Sequence, residues 1–209
     1  MSQQELVIID TGCANISSVK FAVERLGAKV TVSDQKSVIE QADKIFLPGV
    51  GSAFAAMSSI EKKQLKQIIQ GLEQPVLGIC LGMQLMTSES EESPGSHLDV
   101  NATDNITCLD LIPTQIKRMQ VNDLVLPHMG WNQIKVEQNT PLFEGIDDGS
   151  FFYFVHSFCA PESEFTLASC DYGQKFSASI GKDNFYGVQF HPERSGQAGA
   201  NLIRNFINM

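Results

Sequence analysis

The sequence predicts an α/β domain with a doubly wound, mostly parallel sheet flanked by helices, and additional antiparallel strands in the second half. Two observations carry this expectation. In the first half, strand-length apolar runs alternate with stretches of helical spacing, and a run that is apolar at every position suits a parallel strand covered on both faces. In the second half, short β-type runs follow one another without intervening helices.

Leu6-Val7-Ile8-Ile9 is the first strand and ends in the loop Asp10-Thr11-Gly12-Cys13-Ala14-Asn15. A helix follows from about Ile16 to Leu26, with Val19, Val23 and Leu26 at helical spacing and Gly27 where a C-cap is expected. Lys29 to Val32 reads as a strand, Ser37 to Gln41 as a helix and Lys44 to Leu47 as the third strand. Beyond Pro48-Gly49-Val50-Gly51, helical stretches at Ala53 to Met57 and Ile60 to Leu72 lead into a strand ending at Cys80. Successive βα units predict right-handed crossovers and a site at the carboxyl ends of the strands. From Glu89 to Asn105 the pattern lapses into Ser, Glu, Gly and Asn and reads as a solvated loop, acidic Glu89, Glu91 and Glu92 included. Thr114 to Met119, Gln133 to Val136, Phe151 to Val155, Thr166 to Cys170, Phe176 to Ile180 and Phe185 to Phe190 imply antiparallel additions. Ser195 to Asn208 closes the chain as a helix, with Ala200, Ile203 and Phe206 spaced three apart. No repeat, low-complexity tract or linker divides residues 1–209, which read as a single domain.

A chain of 209 residues is long enough to bury roughly 70% of its unfolded surface and to hold an enzyme-sized site. The net charge of −9 argues against a nucleic-acid partner, which needs a positive surface to displace counterions. The five cysteines (Cys13, Cys80, Cys108, Cys159, Cys170) form no C-x-x-C pair, and His97, His128, His156 and His191 do not join them at ligand spacing. The expectation is a reducing cytoplasm, no metal and no cofactor. Met1 to Glu5 lacks a basic region, and no apolar stretch approaches the roughly eighteen residues that span a bilayer, so no membrane association is expected.

Candidate chemistry centres on Cys80, where a short apolar run meets a helix-forming one, with Gly78 and Gly82 two residues to either side. At such an elbow a Cβ on either glycine would meet backbone, and the cysteine would stand at a helix N-terminus, whose unpaired N–H groups favour a thiolate. A nucleophile is one reading; a buried structural cysteine beside packing glycines is the other. Phe190-His191-Pro192-Glu193 ends a strand-like run, and residues two apart in an extended segment share a side, which suits a base and its orienting carboxylate. The bland alternative is a strand-terminating turn with a surface histidine. In Pro48-Gly49-Val50-Gly51, glycines flanking Val50 let the peptide planes turn over cheaply, so a backbone N–H there could join that of Leu81 in an oxyanion hole. A tight turn without a ligand, or a phosphate cradle lacking the Gly-Lys-Ser/Thr ending, competes with that reading.

Together, Gly78-Ile79-Cys80-Leu81-Gly82-Met83-Gln84, His191-Pro192-Glu193 and Pro48-Gly49-Val50-Gly51 resemble the triad-type (class I) glutamine amidotransferase family. Within it, the loop from Asp10 to Asn15, Pro127-His128-Met129-Gly130-Trp131-Asn132, Tyr153 to Phe158 and Gly187 to Gly196 are similar to the glutaminase subunits that serve imidazole glycerol phosphate synthesis in histidine biosynthesis. The resemblance runs through nearly the whole chain. It implies a flavodoxin-like fold and hydrolysis of the L-glutamine side-chain amide through a γ-glutamyl thioester. Cys80 would be the nucleophile, His191 the general acid and base, and Glu193 its orienter. Val50, Gly51 and Leu81 would line the oxyanion hole. Gly51, Gln84 and the backbone around His156, Ser157 and Phe158 would hold the amino and carboxylate groups of glutamine; for His156, an imidazole satisfied by backbone stands beside direct contact.

The implied partner is a (β/α)8-barrel cyclase that receives the ammonia through a dry passage, with Asn15, Trp131, Tyr153 and Arg194 at the shared face of the heterodimer. Trp131 could instead be core. The chain departs from the family between about Ser93 and Pro113, where glycines are fewer, which bears on the loop path and not on the chemistry. A glutaminase serving another synthase, a cysteine-based α/β-hydrolase acting on esters or lactones, and a non-catalytic binding module are the alternatives.

Overall fold

A computed structural model describes residues 4–12, 15–92 and 105–209, so Cys13, His97 and much of the departing loop lie outside the described residues. The chain runs β1 (Leu6–Ile9), α1 (Ile16–Arg25), β2 (Val30–Ser33), α2 (Lys36–Glu40), β3 (Lys44–Gly49), α3 (Ala53–Lys62), α4 (Lys66–Gln70) and β4 (Val76–Cys80), with α5 (Leu81–Leu85) starting immediately after Cys80. Strands then dominate: β5 (Thr87–Ser90), β6 (Ile106–Thr107), β7 (Ile112–Arg118), β8 (His128–Gln133), β9 (Lys135–Val136), β10 (Phe151–His156), β11 (Phe158–Cys159), β12 (Thr166–Asp171), β13 (Lys175–Lys182) and β14 (Phe185–Val188). The helix α6 (Gly196–Asn208) closes the chain.

The main sheet has eight strands in the order β2-β1-β3-β4-β14-β13-β12-β9. From β2 to β14 all neighbours are parallel; β13, β12 and β9 continue antiparallel. Along β1, Leu6 and Ile8 enter the core under α1 and α6, while Val7 and Ile9 enter the core under α3. Each of these four side chains is at most 2% exposed, so the run had to be apolar throughout. On the first face, Phe46 meets Phe206 of α6 edge to face at 5.0 Å. A ribbon of β10 and β8 and a four-stranded sheet β11-β7-β5-β6 stand apart from the main sheet, and β10 and β11 reach the carboxyl end of β4, where Cys80 Sγ lies 3.9 Å from the Val155 carbonyl and Gln84 donates to the Phe158 carbonyl at 3.1 Å.

Three expectations need correction. The run Phe185 to Phe190 is not a purely antiparallel addition: β14 folds back from β13 and inserts parallel beside β4. The turn between them is pinned because Asn184 donates to the carbonyls of Leu72 and Gln74, both at 2.9 Å, just before β4. The helix break expected near Ser58 and Ser59 falls later. Ala53, Ala56, Met57 and Ile60 make one buried stripe through α3, Ser52 caps its start, and the break comes at Gln64, whose φ is +58°. Finally, Glu89 to Glu92 is not all solvated loop, since Thr87–Ser90 pairs with β6 and β7. Among the described residues no helix is long and apolar enough to cross a membrane.

Candidate active site

Cys80 adopts φ +54° and ψ −111° between β4 and α5, a conformation costing on the order of 1–3 kcal/mol for a residue with a Cβ. Close backbone approach holds it there. A Cβ on Gly82 would overlap the Leu47 carbonyl of β3, and one on Gly78 would lie 2.8 Å from the Gly82 carbonyl. Sequence reasoning asked for small residues at both positions on these grounds. Register sets the neighbours: Gly49 of β3 lies opposite Cys80, and Val188 of β14 lies opposite Ile79. The two segments leaving the sheet beside the cysteine are therefore Val50-Gly51 and Gln189-Phe190-His191.

His191 is extended (φ −102°, ψ 93°), but Pro192–Arg194 is a turn of 3-10 helix. It is this turn, and not an extended alternation, that brings Glu193 Oε1 within 2.8 Å of His191 Nδ1, with the two side chains 8% and 2% exposed. A carboxylate accepts, so Nδ1 carries the hydrogen that binds it. Burial lowers the His191 pKa, yet the Cys80 sulfur and the Glu193 carboxylate outweigh it and raise it to about 10. Nε2 has no hydrogen-bond partner among the described residues, and His191 and Cys80 line the same cavity. Ser195 Oγ donates to the His191 carbonyl at 2.6 Å and accepts the Tyr153 N–H at 2.9 Å, fixing the loop. By contrast Cys108, Cys159 and Cys170 are buried, and that burial pushes their thiols up to about 12.

A cavity of about 320 Å³ opens over Cys80 and His191. Val50, Gly51, Leu81, Gln84, His156, Ser157 and Phe158 all line it, with exposed Asn15 and Arg194 at its mouth. Glu193 stands behind His191, outside the lining. Trp131 is 54% exposed and not core; its ring meets Tyr153 edge to face, and the Arg194 guanidinium lies 4.4 Å above the Tyr153 ring. These three make one continuous surface beside the cavity mouth.

The imidazole of His156 is committed inward. Nδ1 donates to the Phe158 carbonyl at 2.8 Å, so Nε2 accepts, and it meets His128 Nδ1 at 3.1 Å. Burial holds His156 down to about 3 and His128 to about 4, so both rings are neutral. Only the backbone at this position remains for a ligand.

Sequence reasoning missed Glu92. It is 8% exposed, lines the same cavity, and accepts the Ala53 N–H at 2.9 Å. Its signal was hidden in an acidic cluster whose other members, Glu89 and Glu91, are half-buried, Glu91 accepting the Arg118 N–H of β7 at 2.8 Å. Among the described residues no group of three or more His, Cys, Asp or Glu is arranged to hold a metal ion.

A cysteine at a strained strand-to-helix elbow and a histidine locked to a carboxylate thus line one cavity at the end of a parallel α/β sheet. The chain belongs to the class I glutamine amidotransferase family, whose model matches residues 7–209, an enzyme family that uses a Cys-His-Glu triad. It is 54% identical to "Imidazole glycerol phosphate synthase subunit HisH" of Colwellia psychrerythraea over 100% of this chain and 95% of that one. A relative of the same name from Shewanella oneidensis is 55% identical over 98% and 96% of the two chains. Among solved structures, a glutamine amidotransferase matches with a TM-score of 0.71 at 16% identity, covering 97% of each chain. "PurLQS from Thermotoga maritima" matches at 0.68 and 16%, covering 99% of each, and these two likenesses speak to the fold alone.

Proposed function

We propose that this chain hydrolyses the side-chain amide of L-glutamine and delivers the ammonia to a (β/α)8-barrel cyclase with which it forms an imidazole glycerol phosphate synthase. The observation that carries the chemistry is the opening of Cys80 and the Glu193-locked His191 onto one cavity. Cys80 attacks the amide carbon, and His191 Nε2 takes the thiol proton and returns it to the leaving nitrogen. Water, deprotonated by the same imidazole, then cleaves the thioester to glutamate. The backbone N–H of Leu81, with one from Val50 or Gly51, receives the developing oxyanion.

Hydrogen-bond arithmetic orients the substrate. Both N–H groups of Gln84 are used, one on the Phe158 carbonyl at 3.1 Å and one on Gln189 at 2.9 Å. Only its oxygen is left, an acceptor suited to an α-ammonium. Glu92 supplies the negative charge for the same group, while backbone at Gly51, Ser157 and Phe158 suits the α-carboxylate. Glu92→Gln is expected to raise KM for glutamine about 10- to 100-fold, the worth of one charge-assisted hydrogen bond. Steady-state kinetics should show kcat changed less than threefold; an unchanged KM would remove Glu92 from the substrate pocket.

The Asn15, Trp131, Tyr153 and Arg194 surface fits the partner, since an exposed tryptophan and an arginine stacked on tyrosine are typical interface anchors. Glycines on both sides of Val50 suit a donor that turns inward only when the cyclase is loaded. The isolated chain is then expected to hydrolyse glutamine slowly. Adding the cyclase subunit with its phosphorylated ribulosyl aminoimidazole-carboxamide substrate should raise the rate about 10²- to 10³-fold, the worth of an oxyanion donor. Glutamate release is the measurement, and no gain on adding that subunit would overturn the assignment of partner.

A further inference from the structure

Gln189 takes no part in the chemistry above, yet it touches the nucleophile. Its side chain is wholly buried, and register places it beside Cys80, one residue beyond the Val188–Ile79 pair. One end of its amide lies 3.8 Å from Cys80 Sγ; the other meets Gln84 at 2.9 Å. The two ends of a glutamine amide have the same outline, so the surrounding network must decide which one faces the sulfur.

The Phe158 carbonyl decides it. A carbonyl can only accept, and this one takes the Gln84 amide at 3.1 Å together with His156 Nδ1 at 2.8 Å. Gln84 therefore turns its NH₂ group inward, toward Phe158 and Gln189 alike. The Gln189 atom that meets it must be the oxygen, and the atom that faces Cys80 must be the NH₂. The backbone of Gln189 is fixed as well, its N–H donating to the Ala178 carbonyl at 2.8 Å.

On its other side the sulfur lies 3.9 Å from the Val155 carbonyl. That acceptor suits a thiol, which can donate to it, and disfavours a thiolate. A donor does the reverse. From these contacts we propose that Gln189 is a further catalytic residue, whose amide N–H donates to the Cys80 sulfur, favours thiolate over thiol and aims the sulfur into the cavity. The proposal rests on Cys80 being the nucleophile. Besides Cys80 itself, the titratable and charged groups lining this cavity among the described residues are His191, Glu92, neutral His156 and Arg194, and none of them is altered in a variant at Gln189 alone.

The test is the rate of Cys80 alkylation by iodoacetamide as a function of pH, run on the complex with the cyclase subunit. Gln189→Met keeps the volume and removes the donor; Gln189→Glu keeps the outline and presents a carboxylate to the sulfur. The midpoint of the alkylation profile is expected to rise by about one pH unit in Gln189→Met, and further in Gln189→Glu. Glutamine-dependent kcat should fall about 10- to 100-fold with KM changed less than threefold, and ammonia-dependent synthesis should be retained. A midpoint unmoved in either folded variant would make Gln189 a packing residue and overturn the proposal. If glutamine turnover in the unsubstituted complex survives complete alkylation of Cys80, the nucleophile assignment fails instead.

Discussion

Cys80→Ala is expected to abolish glutamine-dependent synthesis by the complex, by about 10⁴-fold or more, while synthesis from added ammonium salt continues at the unsubstituted rate. The size follows from what the sulfur does. On the proposed mechanism, removing the sulfur removes the thioester, and water must attack an unactivated amide assisted by the proposed oxyanion donors and substrate binding alone. The retained ammonia reaction follows from the proposed division of labour, in which the cyclase would use free ammonia whichever way it arises. Alanine also keeps a Cβ at the φ +54° position, so the elbow is neither relieved nor newly strained. Measuring product formation with glutamine and with ammonia separates the outcomes: loss of both would mean that Cys80 supports the structure of the complex, and retention of both would place the nucleophile elsewhere.

The parts of this protein legible in its sequence are those set by backbone and burial. Leu6 to Ile9 had to be a doubly covered strand because all four residues are apolar, and all are buried. The elbow was legible because only glycine fits where the β3 carbonyls meet α5. What escaped was set by partners distant in sequence. The segment Thr87-Ser88-Glu89-Ser90 shows no hydrophobic alternation and becomes a strand through pairing with Ile106–Thr107 and Ile112–Arg118. Glu92 looked like one surface acid among several, and it is buried where contacts distant in sequence, such as the Ala53 N–H, reach it. The strand β8 hid for the opposite reason: its apolar Met129 and Trp131 are 62% and 54% exposed while His128 is buried. Alternation there reports the face left uncovered, so hydropathy assigns the wrong side to the core. His128, passed over as a motif residue, is the inward half of the neutral pair that buttresses the Phe158 carbonyl.

Gly82→Ala is expected to cost about 3 kcal/mol or more of stability, a change in melting temperature of roughly 6–12 °C for a domain of this size. Helix propensity argues the other way, since alanine in place of glycine within α5 would gain about 0.5–1 kcal/mol. Sterics decide the sign. The new Cβ would occupy the position of the Leu47 carbonyl oxygen and approach within 2.8 Å of its carbon, and neither is a flexible side chain that can step aside. Relief requires β3 to move from β4, and those strands are paired from Ile45–Val76 to Gly49–Cys80 at the centre of the sheet. The same displacement would carry Val50 and Gly51 away from the sulfur, so activity should fall even in the fraction that folds. Gly145→Ala is the control. Its φ is +68° and nothing lies within 4 Å of the added Cβ, so only the backbone penalty of about 1 kcal/mol applies. Calorimetric melting of both variants tests the argument, and a Gly82→Ala protein as stable as Gly145→Ala would show that the contact between β3 and α5 yields more easily than the sheet pairing implies.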